Sequence, residues 1–224
     1  MPIARSSLVG ATSGVVLLAG ALGLGVGLPK LTDEQYGASD DVPTLPDRIG
    51  GRFLAASELT PEDVKADNDA DVDYIKKLAA STTVGDASGN DALADVYGDA
   101  ATRTYVDVEA FAALKTTGVA PAVMTVSVVE GSAGLVMFGG PIPTDQNGSH
   151  YELKTIDGYP CAVAWNEPVD QTTGQPTGEK ATAANYQVEC RGERNGLAYD
   201  VLANGVKPDE VATYLTDVME KTKS

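Results

Sequence analysis

Two short stretches, "CAVAW" at 161–165 and "NYQVECR" at 185–191, constrain the fold more than any other part of the chain. Successive side chains of a β-strand point to opposite faces, so Cys161, Val163 and Trp165 share one face, as do Tyr186, Val188 and Cys190. An antiparallel pairing whose residue numbers sum to 351 sets Cys161 opposite Cys190, Val163 opposite Val188 and Trp165 opposite Tyr186. This register aligns the only two cysteines, a β-branched pair and an aromatic pair, and a one-residue slip would break all three. The intervening residues 166–185 are polar with Pro and Gly, and read as a long surface loop. Asn195-Gly196 then signals a type I′ hairpin that pairs Cys190 with Val201 and Val188 with Ala203. Leu197, Tyr199 and Val201 fall on the same buried face. Val211, Tyr214, Leu215, Val218 and Met219 recur at helical spacing, so a closing amphipathic helix from near Pro208 is expected to pack on that face.

The N-terminus sets the compartment. Residues 6–29 carry no charge, and Leu8–Leu28 is long enough to cross a bilayer core of roughly 30 Å. Arg5 precedes this run and every Asp and Glu follows it, so the positive-inside rule puts residues 1–7 in the cytoplasm and the rest outside. The expected layout is a transmembrane signal-anchor at 8–28, a linker at 29–50 and an extracytoplasmic domain at 51–224. The alternative is secretion after signal-peptidase cleavage near Ala21, since Ala19-Gly20-Ala21 has the small-x-small form. Either route exports the domain to a compartment that permits disulfides, and Cys161 and Cys190 are therefore expected to be bonded.

Charge narrows the partners. Sixteen Lys and Arg stand against 32 Asp and Glu, a net charge of −16, which repels nucleic acid. With three Phe and one Trp, the core must draw on Val, Ala, Leu and the nine Tyr. Thr60 followed by Pro61, Glu62 and Asp63 reads as the start of a largely solvated helix ending near Lys76-Lys77. "ALADVYGD" (92–99) and "TRTYVDVEAF" (102–111) read as two strands joined around Gly98–Thr102. Residues 119–130 fit a strand by β-branched content and a helix by the spacing of Val119, Val123 and Val126. "GGPIPTDQNGSH" (139–150) is a loop by composition, containing the formal sequon Asn147-Gly148-Ser149.

Candidate chemistry is sparse. The single histidine, His150, lies in that polar loop without a nucleophile signature, and is expected to be solvated. Asp67, Asp69 and Asp71 mimic an EF-hand opening, but Val72 stands where the turn glycine belongs and Leu78 where the bidentate Glu belongs. One His and two Cys lack zinc spacing, and "RIGG" (48–51) and "FGGPIP" (138–143) lack the strand–glycine–helix context of a phosphate site. No catalytic, cofactor-binding or metal-binding residue is assigned.

The apolar span together with "LPDRIGG" (45–51), "DVYGD" (95–99), "CAVAW" and "VECRGERNGLAYDVLANG" (188–205) resembles a loose group of uncharacterised membrane-anchored or secreted envelope proteins of actinomycetes, over roughly residues 43–222. The resemblance implies an antiparallel sheet with packed helices and no established activity. The expected fold is α+β, an antiparallel sheet with amphipathic helices on one face behind one N-terminal transmembrane helix. The expected function is non-catalytic binding of an envelope protein or cell-wall component. Alternatives are an extracytoplasmic hydrolase using carboxylates and a sensor or regulatory subunit of a membrane complex.

Overall fold

A computed structural model describes residues 42–222 apart from 135–137, 139, 147, 171 and 174. The 8–28 span, the Ala21 cleavage position and most of the 29–50 linker lie outside the described residues. Within them, nine strands form one antiparallel sheet: β1 (Arg48–Ile49), β2 (Phe53–Ala55), β3 (Ala100–Asp107), β4 (Val123–Glu130), β5 (Thr144–Gln146), β6 (Ser149–Ile156), β7 (Tyr159–Asn166), β8 (Tyr186–Arg194) and β9 (Leu197–Asn204). Their spatial order is β1-β2-β3-β4-β9-β8-β7-β6-β5. Three α-helices accompany them: α1 (Asp69–Tyr97), α2 (Val108–Thr117) and α3 (Pro208–Lys221). The architecture is α+β.

The cysteine register is as expected. Cys161 faces Cys190, Val163 faces Val188 and Trp165 faces Tyr186 across β7 and β8. The two cysteines are bonded. Cys190 pairs with Val201 and Val188 with Ala203, and Asn195 and Gly196 both take the positive φ that a type I′ turn requires. Against this face lies α3, burying Val211, Tyr214, Leu215, Val218 and Met219. The N-terminal part of the domain joins the same core through Leu45, Ile49 and Phe53, whose ring meets Tyr214 edge-on at 5.2 Å. Gly50 sits at φ +56 with the Tyr214 ring where a Cβ would stand, so this position requires glycine on both counts.

Helices pack on both faces, not on one. Leu54 and Val106, which alternate with the core residues of β2 and β3, form a second cluster with Leu59, Val64 and Ile75 of the α1 side. Here the local signals misled. Thr60 and Asp63 do exchange capping bonds, with the Thr60 hydroxyl 2.7 Å from Asp63 Oδ2. Lys65 then adopts φ 54, which ends that turn, and the helix begins only after Asn68, whose side chain accepts from the Asp71 N–H. It runs on through "ALADVY", so residues 92–97 are helical rather than a strand. "TRTYVD" is strand, but Asp107 accepts from the Ala110 N–H and turns "VEAF" into α2.

The reason for the long helix is its contact with β3. β2 pairs with β3 only over Tyr105–Asp107, leaving the outer edge of residues 100–104 without a strand. Asp86 accepts there from the Thr104 N–H and hydroxyl, and Asn90 accepts from the Thr102 N–H. Two side chains of α1 thus replace a missing strand and cover a sheet edge. The stretch open between helix and strand resolves as β4, with Met124, Val126 and Val128 buried in alternation. The expected loop at 139–150 contains the hairpin of β5 and β6, with His150 paired to Asp145 on one side and Trp165 on the other.

Candidate functional site

One row of positions crosses four strands: His150 on β6, Trp165 on β7, Tyr186 on β8, and Gly205 just past β9, whose N–H donates to the Tyr186 carbonyl at 2.9 Å. The row lies on the α3 face, one step beyond the fully buried Val163–Val188 pair. Burial falls off here, and His150, Trp165 and Tyr186 are only partly covered. The rings stand side by side. His150 stacks on Trp165 at 4.7 Å with planes 11° apart, and Trp165 meets Tyr186 at 6.0 Å, tilted by 34°.

These rings line an open groove of about 430 Å³. Its polar lining is amide and hydroxyl: Asn166, Asn185, Gln187 and Asn204 with Thr144 and Ser149. Asp, Glu, Lys and Arg make up 21% of the chain, yet none lines the groove. Ser149 is bonded to Asn166 at 2.7 Å, and Asn185 Oδ1 accepts from the Thr182 N–H and hydroxyl. These bonds fix two of the amides; Gln187 and Asn204, paired with each other across β8 and β9, lie one position from Tyr186 and Gly205 and so point to the opposite sheet face, that of Glu189.

His150 is therefore not a solvated loop residue. It sits in β6 with a side chain 17% exposed, Nδ1 3.0 Å from Asp145 Oδ1 and Nε2 3.3 Å from Glu167 Oε1. Both ring nitrogens thus lie within reach of a carboxylate, which helps hold the imidazole against Trp165. Neither nitrogen faces a hydroxyl or thiol, and both cysteines are consumed in the disulfide. The ring closes the end of the aromatic row.

The opposite sheet face holds a charged cluster. Arg191 Nε lies 2.5 Å from Asp200 and Nη2 lies 2.6 Å from Glu189. Glu189 is buried, and its pKa is pushed up to about 8 by burial first and by the neighbouring Asp200 charge next, with Arg191 opposing both. The two influences pull in opposite directions, and burial wins because the carboxyl keeps little contact with water. The Asp67–Asp71 stretch forms no cation loop. Asp67 and Asp71 pair with Lys115 of α2, which lowers the Asp67 pKa, and Asp69 opens α1. Among the described residues no three His, Cys, Asp or Glu side chains converge to hold a metal, and no helix is long and apolar enough to cross a membrane.

No family model, curated protein or solved structure matches this chain. The groove is thus read from its own residues. Sequence reasoning found Trp165 and Tyr186 as a cross-strand pair but missed His150 and the amides. The signal available was Asp157-Gly158, the hairpin dipeptide between β6 and β7 that carries His150 into register with Trp165.

Proposed function

We propose that this chain is a non-catalytic binding protein of the cell envelope, anchored or exported by its N-terminal apolar span, and that the groove along His150, Trp165 and Tyr186 is its contact face. The observation that carries the reading is the groove's composition. Partly exposed aromatic rings at a strand end whose lining is uncharged apart from His150 suit recognition, since such sites bury apolar area while a few polar groups fix orientation. A nucleophile or acid–base pair would instead need groups aimed at a shared reacting atom.

Cross-linking in intact cells followed by mass spectrometry tests this, comparing wild type with Tyr186→Ala. Adducts that involve groove residues and vanish in the variant are expected. Adducts unchanged in the variant, or confined to α1, would contradict the reading.

One observation favours the hydrolase alternative, namely the convergence of Glu189 and Asp200. A raised carboxyl beside a second carboxyl is the arrangement of an acid–base pair. Against it, Arg191 engages both groups and Glu189 is only 5% exposed, so a substrate would have to displace the ion pair. Glycoside or ester turnover lost in Glu189→Gln would favour the hydrolase.

A further inference from the structure

Two exposed edges of the sheet are closed by side chains from the helices, and a third is not. At β1, Lys221 Nζ donates to the Arg48 carbonyl, and Asp217 accepts from the Gly50 N–H just beyond the strand. Along the bare stretch of β3, Asp86 and Asn90 accept from the Thr104 and Thr102 N–H groups. β5 ends the sheet on the other side with all three residues exposed, and among the described residues no side chain bonds its outer backbone. Resting on the groove reading above, we infer that β5, which lines the groove through Thr144, receives an extended basic segment of an envelope protein. The segment adds as a tenth, antiparallel strand with Lys or Arg beside Asp145.

The register says which backbone groups face outward. The Glu167 N–H donates to the Gly148 carbonyl at 2.7 Å, so those two residues form a hydrogen-bonded pair, and His150–Trp165, two positions along, is another. His150 therefore turns its N–H and C=O toward β7, and Asp145, opposite it on β5, turns its own to the open edge. One residue of an added antiparallel strand bonds both groups. Its side chain shares the face of Asp145, His150, Trp165 and Tyr186, and extends that row by one position.

Asp145 selects that residue. Its side chain is 89% exposed with Oδ1 on His150 Nδ1, and Glu167 stands at the other nitrogen of the same ring. Opposite charges on neighbouring strands stabilise a sheet and like charges do the reverse, so a basic residue fits here. The same rule disfavours two other occupants. A second copy paired symmetrically about this position would set Asp145 against Asp145. The chain's own residues 31–41 carry Asp33, Glu34, Asp40 and Asp41 with no Lys or Arg. A net charge of −16 also draws a basic partner at long range.

Full-length protein in detergent would be titrated with an acetylated, amidated heptapeptide, STVKVTS, and with its acidic counterpart STVEVTS. A third probe is STVKVTS methylated on the lysine backbone nitrogen, which cannot donate to the Asp145 carbonyl. Calorimetry reads affinity, and residue-resolved amide exchange reads the pairing. STVKVTS is expected to bind and to slow exchange of the Asp145 N–H about tenfold at saturation. The acidic and methylated peptides are expected to bind about fivefold more weakly. Asp145→Lys, at an exposed side chain, should reverse the preference between the two charged peptides. Equal binding of those two, free exchange of the Asp145 N–H with peptide bound, or an unreversed preference in the variant would overturn the inference. No peptide binding, while groove cross-links persist in cells and vanish in Tyr186→Ala, would overturn the β5 acceptor but leave the contact face. Peptide paired at β5, with those cross-links unchanged in Tyr186→Ala, would uphold the acceptor strand and overturn the groove reading.

Discussion

Single residues decide several features that their neighbourhood alone would not. Asp86 is one of the few charged groups of α1 held out of water, and burial raises its pKa while its bonds to Thr104 oppose that rise. Replacing it by alanine leaves the Thr104 N–H without its acceptor, and a loss of about 1–3 kcal/mol is expected in a denaturant midpoint. Asp86→Asn keeps an accepting oxygen and should stay within roughly 1 kcal/mol of wild type at neutral pH. Glu189 gives a pH signature with a definite sign. Its folded pKa of about 8 exceeds the ordinary carboxyl value of 4.5, so the folded chain holds a proton that the unfolded chain releases. That contribution is full below pH 4.5 and is lost as pH rises through 8. The melting temperature should therefore fall between about pH 4.5 and 8, and Glu189→Gln should flatten that fall; an unchanged slope in the variant would contradict the assignment. Gly50→Ala should cost at least about 1–2 kcal/mol from its positive φ alone, plus the displacement of Tyr214.

At the scale of elements, the disulfide closes 29 positions of chain and ties the middle of the sheet. In the chain-entropy account, removing it with Cys161→Ala/Cys190→Ala lowers stability by about 3–4 kcal/mol, readable from the unfolding midpoint. Strands whose pairing is fixed by local matches could be read from sequence. β7, β8 and β9 were, because cysteine, β-branched, aromatic and Asn-Gly signals all agree on one register. α3 was also readable, since its apolar residues hold a strict stripe beneath an acidic first turn. α1 was not. Its stripe is thin, only Ile75 and Asp86 are buried, and what holds its second half is a pair of polar side chains bonded to a distant strand edge. A polar contact of that kind leaves no hydrophobic period in the sequence. β6 carries weak alternation, so the Asp157-Gly158 turn that follows it was its strongest sign.

For the whole molecule, the two sheet faces divide the work. One carries the main core beneath α3 and continues outward into the aromatic groove; the other carries α1, α2 and the Glu189–Arg191–Asp200 cluster. The Trp165–Tyr186 half of the groove followed from the cysteine register, because the same alternation that buries the cysteines extends to the aromatic pair. Its other half depends on how far β6 and the end of β9 reach, which only the assembled sheet determines. The central claim is that this groove is the surface that meets the envelope. Hydroxyl-radical footprinting of the full-length protein, in intact envelopes and after purification, reads the groove's aromatic side chains directly. The account predicts that Trp165, Tyr186 and His150 are protected in the envelope while Tyr74, 41% exposed on α1, oxidises equally in both. Equal oxidation of the three groove rings in both states, with protection at Tyr74 instead, would contradict it.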